Sequence, residues 1–210
     1  MASGAGHYKP SACPVAPFRA PPPRLPQTRA AAKTPRHMLT ATPMPSDRTR
    51  PLAMPLVLQL PDLDATEALG RALARLLRCG DLLALNGDLG AGKTALARAL
   101  IRALPGPAGA AEEEVPSPTF TLVQVYDREP APVWHFDLYR IEDPDEIEEL
   151  GLSEALAEGI TLIEWPERLG RPLPPGSLSV TLAYAATAEG REARLEGDGD
   201  WPARLEEAGL

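Results

Sequence analysis

The chain has 210 residues, 44% of them hydrophobic, and a net charge of −8, which bounds it to one globular domain with a sizeable core. It holds no apolar run near the ~18 residues a membrane helix needs, and its two cysteines, Cys13 and Cys79, lie far apart and near no Cys/His cluster, which argues against a disulfide framework or a zinc site and for a reducing, cytoplasmic setting. The charge is split along the chain, +7 over residues 1–54 and −15 over residues 55–210, so the two parts are read separately.

Residues 1–53 are rich in Pro, Ala and Arg, with APPPRLP at Ala20 to Pro26 and no apolar period. Such a segment cannot bury enough surface to offset its chain entropy, and it is expected to be disordered. Three readings stand: an arm for nucleic acid or another anionic surface, an Arg-rich transit peptide lacking a clear amphipathic stripe, or an upstream extension from a misplaced start codon. The last is favoured because ordered patterning begins at Met54. No apolar stretch follows the basic residues, so no secretory signal is expected.

The domain, 54–210, opens with a short strand, Leu56 to Leu60. Leu69, Leu73, Leu76 and Leu77 then recur at helical spacing up to a stop at Gly80, where Cys79 is expected simply to pack. LLALNG (Leu82 to Gly87) reads as a buried strand. After a glycine loop, Leu96, Leu100, Ile101 and Leu104 form a second helical stripe. TFTLVQVYD (119–127) and VWHFDLYR (133–140) are strand-like. Asp143 and Ser153 are expected to cap two short helices, and ITLIEW (160–165) reads as another buried strand. The pattern closes with a hairpin over 178–185 and 191–196 and a short helix after Pro202. This alternation predicts an α/β fold, a mixed sheet flanked by helices on both faces. The two short strand connections predict antiparallel pairs beside a parallel centre.

Gly87 to Thr94 reads GDLGAGKT and matches G-x-x-x-x-G-K-[ST], a phosphate-binding loop. Glycines let successive backbone N–H groups turn inward onto phosphate oxygens, and the helix starting at Lys93 aims its N-terminus at the same spot. Lys93 supplies a point charge for the β- and γ-phosphates, and Thr94 a hard oxygen for Mg²⁺. Lys93 is the only lysine after residue 54 in a chain that otherwise uses arginine, a sign of a role that a planar fork cannot fill. No Asn-Lys-x-Asp guanine reader occurs, which favours ATP over GTP.

A phosphate loop needs a second metal anchor at a neighbouring strand end, and two acids offer themselves, Glu164 in ITLIEW and Asp137 in WHFDLY. Period two puts Trp134, Phe136 and Leu138 on one face and His135, Asp137 and Tyr139 on the other. An acid in an apolar strand is costly unless paired or metal-bound; the plainer reading of each is a partly exposed strand end. His135 reads as a structural hydrogen-bonding residue. Trp165 reads as a base-stacking or a core side chain. Ser117 and Thr119, between two prolines, read as a γ-phosphate sensor or as a plain turn. The −15 domain offers few cations for RNA phosphates. Beside the ATPase reading stand a P-loop kinase of a small molecule, for which Arg140 and Arg168 are isolated lid cations, and a nucleotide-gated binding module.

Taken together, GDLGAGKT, VPSPTFTLVQVY, HFDLYRIEDPDEIEELGL and LIEWPERL, in this order and spacing, with LPDLDATEALG before them and REAR after, resemble the bacterial TsaE (YjeE) family over about residues 55–210. The resemblance implies a P-loop NTPase-like fold and an ATPase, slow alone and stimulated by partners, that serves threonylcarbamoyladenosine modification of ANN-decoding tRNAs. It implies ATP and Mg²⁺ as cofactors and a TsaB–TsaD-like complex as partner, with tRNA met only through that partner and no membrane. Carried over, Gly90, Ala91, Gly92, Lys93, Thr94 and Ala95 would hold the phosphates, and Thr94 and Glu164 the metal. Asp137 would support hydrolysis alongside Lys93 and Glu164, Trp165 would lie near the nucleotide, and Asp62 and Thr66 would approach the adenine. Many members carry a second Thr where this chain has Ala95, whose N–H remains.

Overall fold

Five-residue apolar runs make the centre of the sheet. In the computed structural model, which describes residues 55–185 and 190–210, β1 (Leu56–Leu60) leads to α1 (Leu63–Ala74), β2 (Leu82–Asn86) and α2 (Lys93–Ala103). Then follow β3 (Val123–Tyr126), β4 (Val133–Asp137), α3 (Glu146–Glu149), α4 (Leu152–Glu158) and β5 (Ile160–Glu164). The hairpin β6 (Leu178–Tyr184) and β7 (Arg191–Gly197) and the helix α5 (Trp201–Glu207) end the chain. The basic extension expected over residues 1–53 lies outside the described residues, and so does the hairpin tip at 186–189.

The strands form one sheet in the order β1-β7-β6-β2-β5-β4-β3. Its centre is parallel, with β2 between β5 and β6 and β4 beside β5. Both expected hairpins, β3/β4 and β6/β7, are antiparallel, as is β1 against β7. Alternation along β2 explains its continuous apolar run: Leu83 and Leu85 face a core shared with α1, α2 and α5, while Leu82 and Ala84 face a second core under α3 and α4. Helices thus cover both faces, as the sequence predicts. Gly70 brings α1 hard against α2, for a Cβ there would stand 2.7 Å from the Cβ of Ala99.

Element ends differ from expectation where local contacts outweigh propensity. α1 stops at Ala74 rather than near Gly80, because the chain tightens into i→i+3 bonds, from Leu76 N–H to Leu73 O and from Leu77 N–H to Ala74 O. β3 starts at Val123, not at Thr119, since Leu122 takes a left-handed φ of 64° and its N–H closes a turn on Pro118 O. Asp143 does not cap α3; its carboxylate accepts Asp145 N–H in the turn ahead of it. Ser153 lies within α4, which Gly151 opens in left-handed geometry, and its hydroxyl donates to Glu148. α5 begins at Trp201, before Pro202. Cys79 packs against the larger core, but it is disulfide-bonded rather than a free thiol, so the expectation that it simply packs does not hold; Cys13 lies outside the described residues. Among the described residues no helix is long and apolar enough to cross a membrane.

Candidate functional site

The carboxyl ends of β2, β4 and β5 meet at one edge of the parallel centre, where α/β sheets place their ligands. β2 runs into the glycine loop. Register pairs Asp137 with Glu164 and Leu85 with Glu164, so both acids stand beside the loop.

The loop is shaped by engagement of its carbonyls. The Lys93 ammonium donates to Gly87 O at 2.6 Å and to Asp88 O at 2.9 Å. The Tyr184 hydroxyl donates to Leu89 O at 3.1 Å and Arg191 Nε to Ala91 O at 3.2 Å. With those oxygens taken up, the first-turn amides of α2, from Lys93 to Ala95, remain without intrahelical partners, as at any helix start. This is an anion-binding arrangement. Gly87, Gly90 and Gly92 hold φ of 132°, 78° and 106°, values that L side chains rarely adopt. Burial pushes the Lys93 ammonium below its ordinary pKa, while the charges of Glu164 and Asp137 pull it back up. Its Nζ lies 3.7 Å from the centroid of the Trp165 ring. Trp165 itself is left-handed at φ 60°, and this uncommon backbone turns the indole onto Lys93 and onto Tyr139, 4.9 Å between ring centroids.

The two acids hold different partners. The Thr94 hydroxyl lies 2.9 and 3.1 Å from the two Glu164 carboxylate oxygens. His135 Nε2 lies 2.9 Å from Oε1 of the same carboxylate. Asp137 is instead gripped by the Ser117–Thr119 turn: Ser117 Oγ and Thr119 Oγ1 both donate to Oδ2, at 2.7 and 2.6 Å, and Tyr139 N–H donates to Oδ1 at 3.1 Å. Both acids are buried, so neither is an exposed strand end.

The donor set fits a magnesium ion. Neighbouring ligands of an octahedral Mg²⁺, each about 2.05 Å from the metal, stand about 2.9 Å apart, close to the 2.9 and 3.1 Å between Thr94 Oγ1 and the two Glu164 oxygens, of which Oε2 is the one His135 leaves free. Among the described residues no group of three or more His, Cys, Asp or Glu is placed to hold a metal; Mg²⁺ commonly takes one or two protein ligands and completes its shell with phosphate and water oxygens.

The fold therefore brings Gly90 to Ala95, Asp137, Glu164 and Trp165 together. Asp62 and Thr66 hydrogen-bond within the first turn of α1, where Asp62 accepts Ala65 N–H and Thr66 Oγ1 donates to Asp62 O. Their link to the loop is indirect: β1 pairs Leu60 with Arg191, whose guanidinium reaches the loop. Sequence reading gave Arg191 and Tyr184 no role, since a hairpin about 90 residues beyond the loop carries no local sign of touching it. REAR was visible only as part of a resemblance.

The family model for the threonylcarbamoyl adenosine biosynthesis protein TsaE matches residues 60–193. The chain is similar to the tRNA threonylcarbamoyladenosine biosynthesis protein TsaE of Rickettsia felis, 41% identical over 119 residues, covering 57% of this chain and 67% of that protein. It is similar to the protein of that name from Rickettsia bellii, at 40% identity over 57% of this chain and 80% of the relative, and to that of Bacillus subtilis, at 35% over 60% and 76%. The crystal structure of Bacillus subtilis YdiB superposes with a TM-score of 0.59 at 25% identity, covering 77% of this chain and 95% of that one.

Proposed function

Because the chain belongs to the TsaE family, we propose that it binds ATP with Mg²⁺ and hydrolyses it in the service of threonylcarbamoyladenosine formation on ANN-decoding tRNAs. The observation that carries the proposal is the Thr94–Glu164 pair, set at a Mg²⁺ ligand spacing directly beneath a phosphate loop whose lysine is already seated.

In this reading the amides from Gly90 to Ala95 bind the phosphates, and Lys93 moves from the loop carbonyls onto the β- and γ-phosphates. Thr94 and Glu164 hold the metal, which when bound neutralises phosphate charge. Hydrolysis forms a bond from a water oxygen to the γ-phosphorus and breaks the bond to the bridging oxygen, giving ADP and inorganic phosphate. Asp137 orients that water from a carboxylate which Ser117, Thr119 and Tyr139 already aim. Trp165 packs beside the nucleotide, and Asp62 and Thr66 shape the adenine end. A TsaB–TsaD-like complex is the partner that meets tRNA. Of the isolated cations a kinase lid would draw on, Arg140 lies 4.2 Å from the centroid of the exposed Phe120 ring, and Arg168 lies 3.5 Å from Ile141 O.

The test is phosphate release from Mg-ATP, with and without a purified TsaB–TsaD pair and with no other acceptor. Slow release that rises with the pair is expected. No release under either condition refutes the ATPase reading and moves the kinase to the front.

A further inference from the structure

The α2-facing side of β4 and β5 is lined by Val133, Ile160 and Leu162, all fully buried. One residue on that face breaks the apolar pattern. His135 is fully buried between the strands carrying Gln124 and Leu162. Its Nε2 meets Glu164 Oε1 at 2.9 Å, and its Nδ1 has no hydrogen-bond partner. A side chain there only to fill space would not be one that leaves a buried ring nitrogen orphaned, since a leucine fills the same volume at no such cost. The imidazole is retained for what its other nitrogen does.

A carboxylate only accepts hydrogen bonds, so Nε2 carries a proton, and Nδ1 is left without a partner. His135 therefore donates to Oε1, which Thr94 also approaches at 2.9 Å, while Oε2 has Thr94 alone at 3.1 Å. A threonine hydroxyl that gave a lone pair to a metal would keep its hydrogen but aim it away from the ion, and so away from a carboxylate oxygen bound to the same ion. Of the donors seen on Glu164, His135 is then the one that stays. It holds one oxygen fixed and leaves the other facing the loop. Resting on the Mg-ATP reading above, we infer that His135 is a positioning residue for the metal: it locks the Glu164 carboxylate in its metal-accepting orientation and sets metal affinity without touching metal or nucleotide.

Partners that orient metal ligands typically set metal affinity by about 10- to 100-fold, and the experiment separates that effect from packing. The full chain is compared with His135→Leu, His135→Gln and His135→Asn. Binding of Mn²⁺ in the presence of ADP is followed by electron paramagnetic resonance, and binding of ADP in EDTA by tryptophan fluorescence. A glutamine amide reaches the place of Nε2; an asparagine amide stops at the place of Nδ1. The expected result is that His135→Leu and His135→Asn need about 10- to 100-fold more Mn²⁺, bind ADP in EDTA within about two-fold of the parent, and that His135→Gln restores most of the metal affinity. An unchanged Mn²⁺ requirement in His135→Leu overturns the inference, and so does an equal loss of ADP binding with and without metal. If His135→Leu fails to fold, the Gln and Asn variants decide, and equal Mn²⁺ affinity in those two overturns it. A parent chain that binds ADP with no gain from metal fails differently: it removes the Mg-ATP reading itself.

Discussion

Gly87 is the position where the loop is most tightly tied to the sheet, and Gly87→Ala tests that tie. At φ 132° the backbone lies where residues with a Cβ rarely go, a cost of roughly 1–2 kcal/mol. The added Cβ would also stand 2.2 Å from Leu182 O on β6 and 3.2 Å from the Ala91 Cβ. An ordinary carbon–oxygen contact is about 3.3 Å, so the loop and β6 must part by roughly an ångström, and overpacking of this kind costs about 1–3 kcal/mol more. The sum, roughly 2–5 kcal/mol, is a large share of the 5–15 kcal/mol that typically holds a domain together. Gly92→Ala is the control, since its Cβ would meet only Leu182 Cδ1, at 4.0 Å, leaving the backbone term of roughly 1–2 kcal/mol. Urea unfolding followed by circular dichroism reads both losses. The parting of loop and β6 also displaces the loop amides proposed to receive the phosphates, so ATP affinity of folded Gly87→Ala should fall about ten-fold or more by fluorescence titration. A Gly87→Ala protein within about 0.5 kcal/mol of the parent, or one no less stable than Gly92→Ala, refutes the reasoning.

Two further substitutions test the chemistry of the site. Lys93→Ala should abolish ATP binding measured by isothermal titration, because it removes the cation that organises the loop carbonyls and meets the phosphates; undiminished binding would remove the cradle. Glu164→Ala should weaken binding only when Mg²⁺ is present, whereas Asp137→Ala should leave Mg-ATP binding nearly intact and suppress phosphate release by about 100-fold or more. Loss of metal-dependent binding in Asp137→Ala alone would reverse the two roles.

The loop was legible because it is local: eight consecutive residues carry the glycines, the lysine and the hydroxyl, flanked by an apolar run and a helical stripe. The sheet's mixed character was legible for a similar reason, since two connections are too short for a parallel crossover. What was not legible lies across register. Period two places His135, Asp137 and Tyr139 on one face of β4, but only the pairing of β4 with β5 decides that Glu164, and not Asp137, takes Thr94. The same pairing turns His135 from a residue in need of some partner into one with a particular partner. Arg191 was hidden for the same reason, because β7 reaches the loop only through its place between β1 and β6. Asp143 and Ser153 were misread in the opposite sense: both are good caps by propensity, yet a left-handed glycine at 151 and a turn closed on Asp143 set the helix starts instead.

The contrast between the two acids would account for the slow, partner-stimulated hydrolysis proposed above. In the proposed metal site Glu164 would need only the Thr94 hydroxyl hydrogen to turn aside, and Thr94 would itself be a ligand. Asp137 is in a different state. Its Oδ2 accepts two short hydroxyl bonds from Ser117 and Thr119, and those hydroxyls also lie 2.7 Å from each other. A water guided by Oδ2 would have to displace at least one of them, whereas Oδ1, which accepts Tyr139 N–H, has acceptor capacity to spare. The turn that carries them also carries Phe120, which is 82% exposed, a large apolar ring one residue from Thr119 and open to any protein that docks at this edge. On that proposal the metal ligands stand close to their working arrangement, while the acid proposed for hydrolysis is held by a turn that carries an exposed apolar ring.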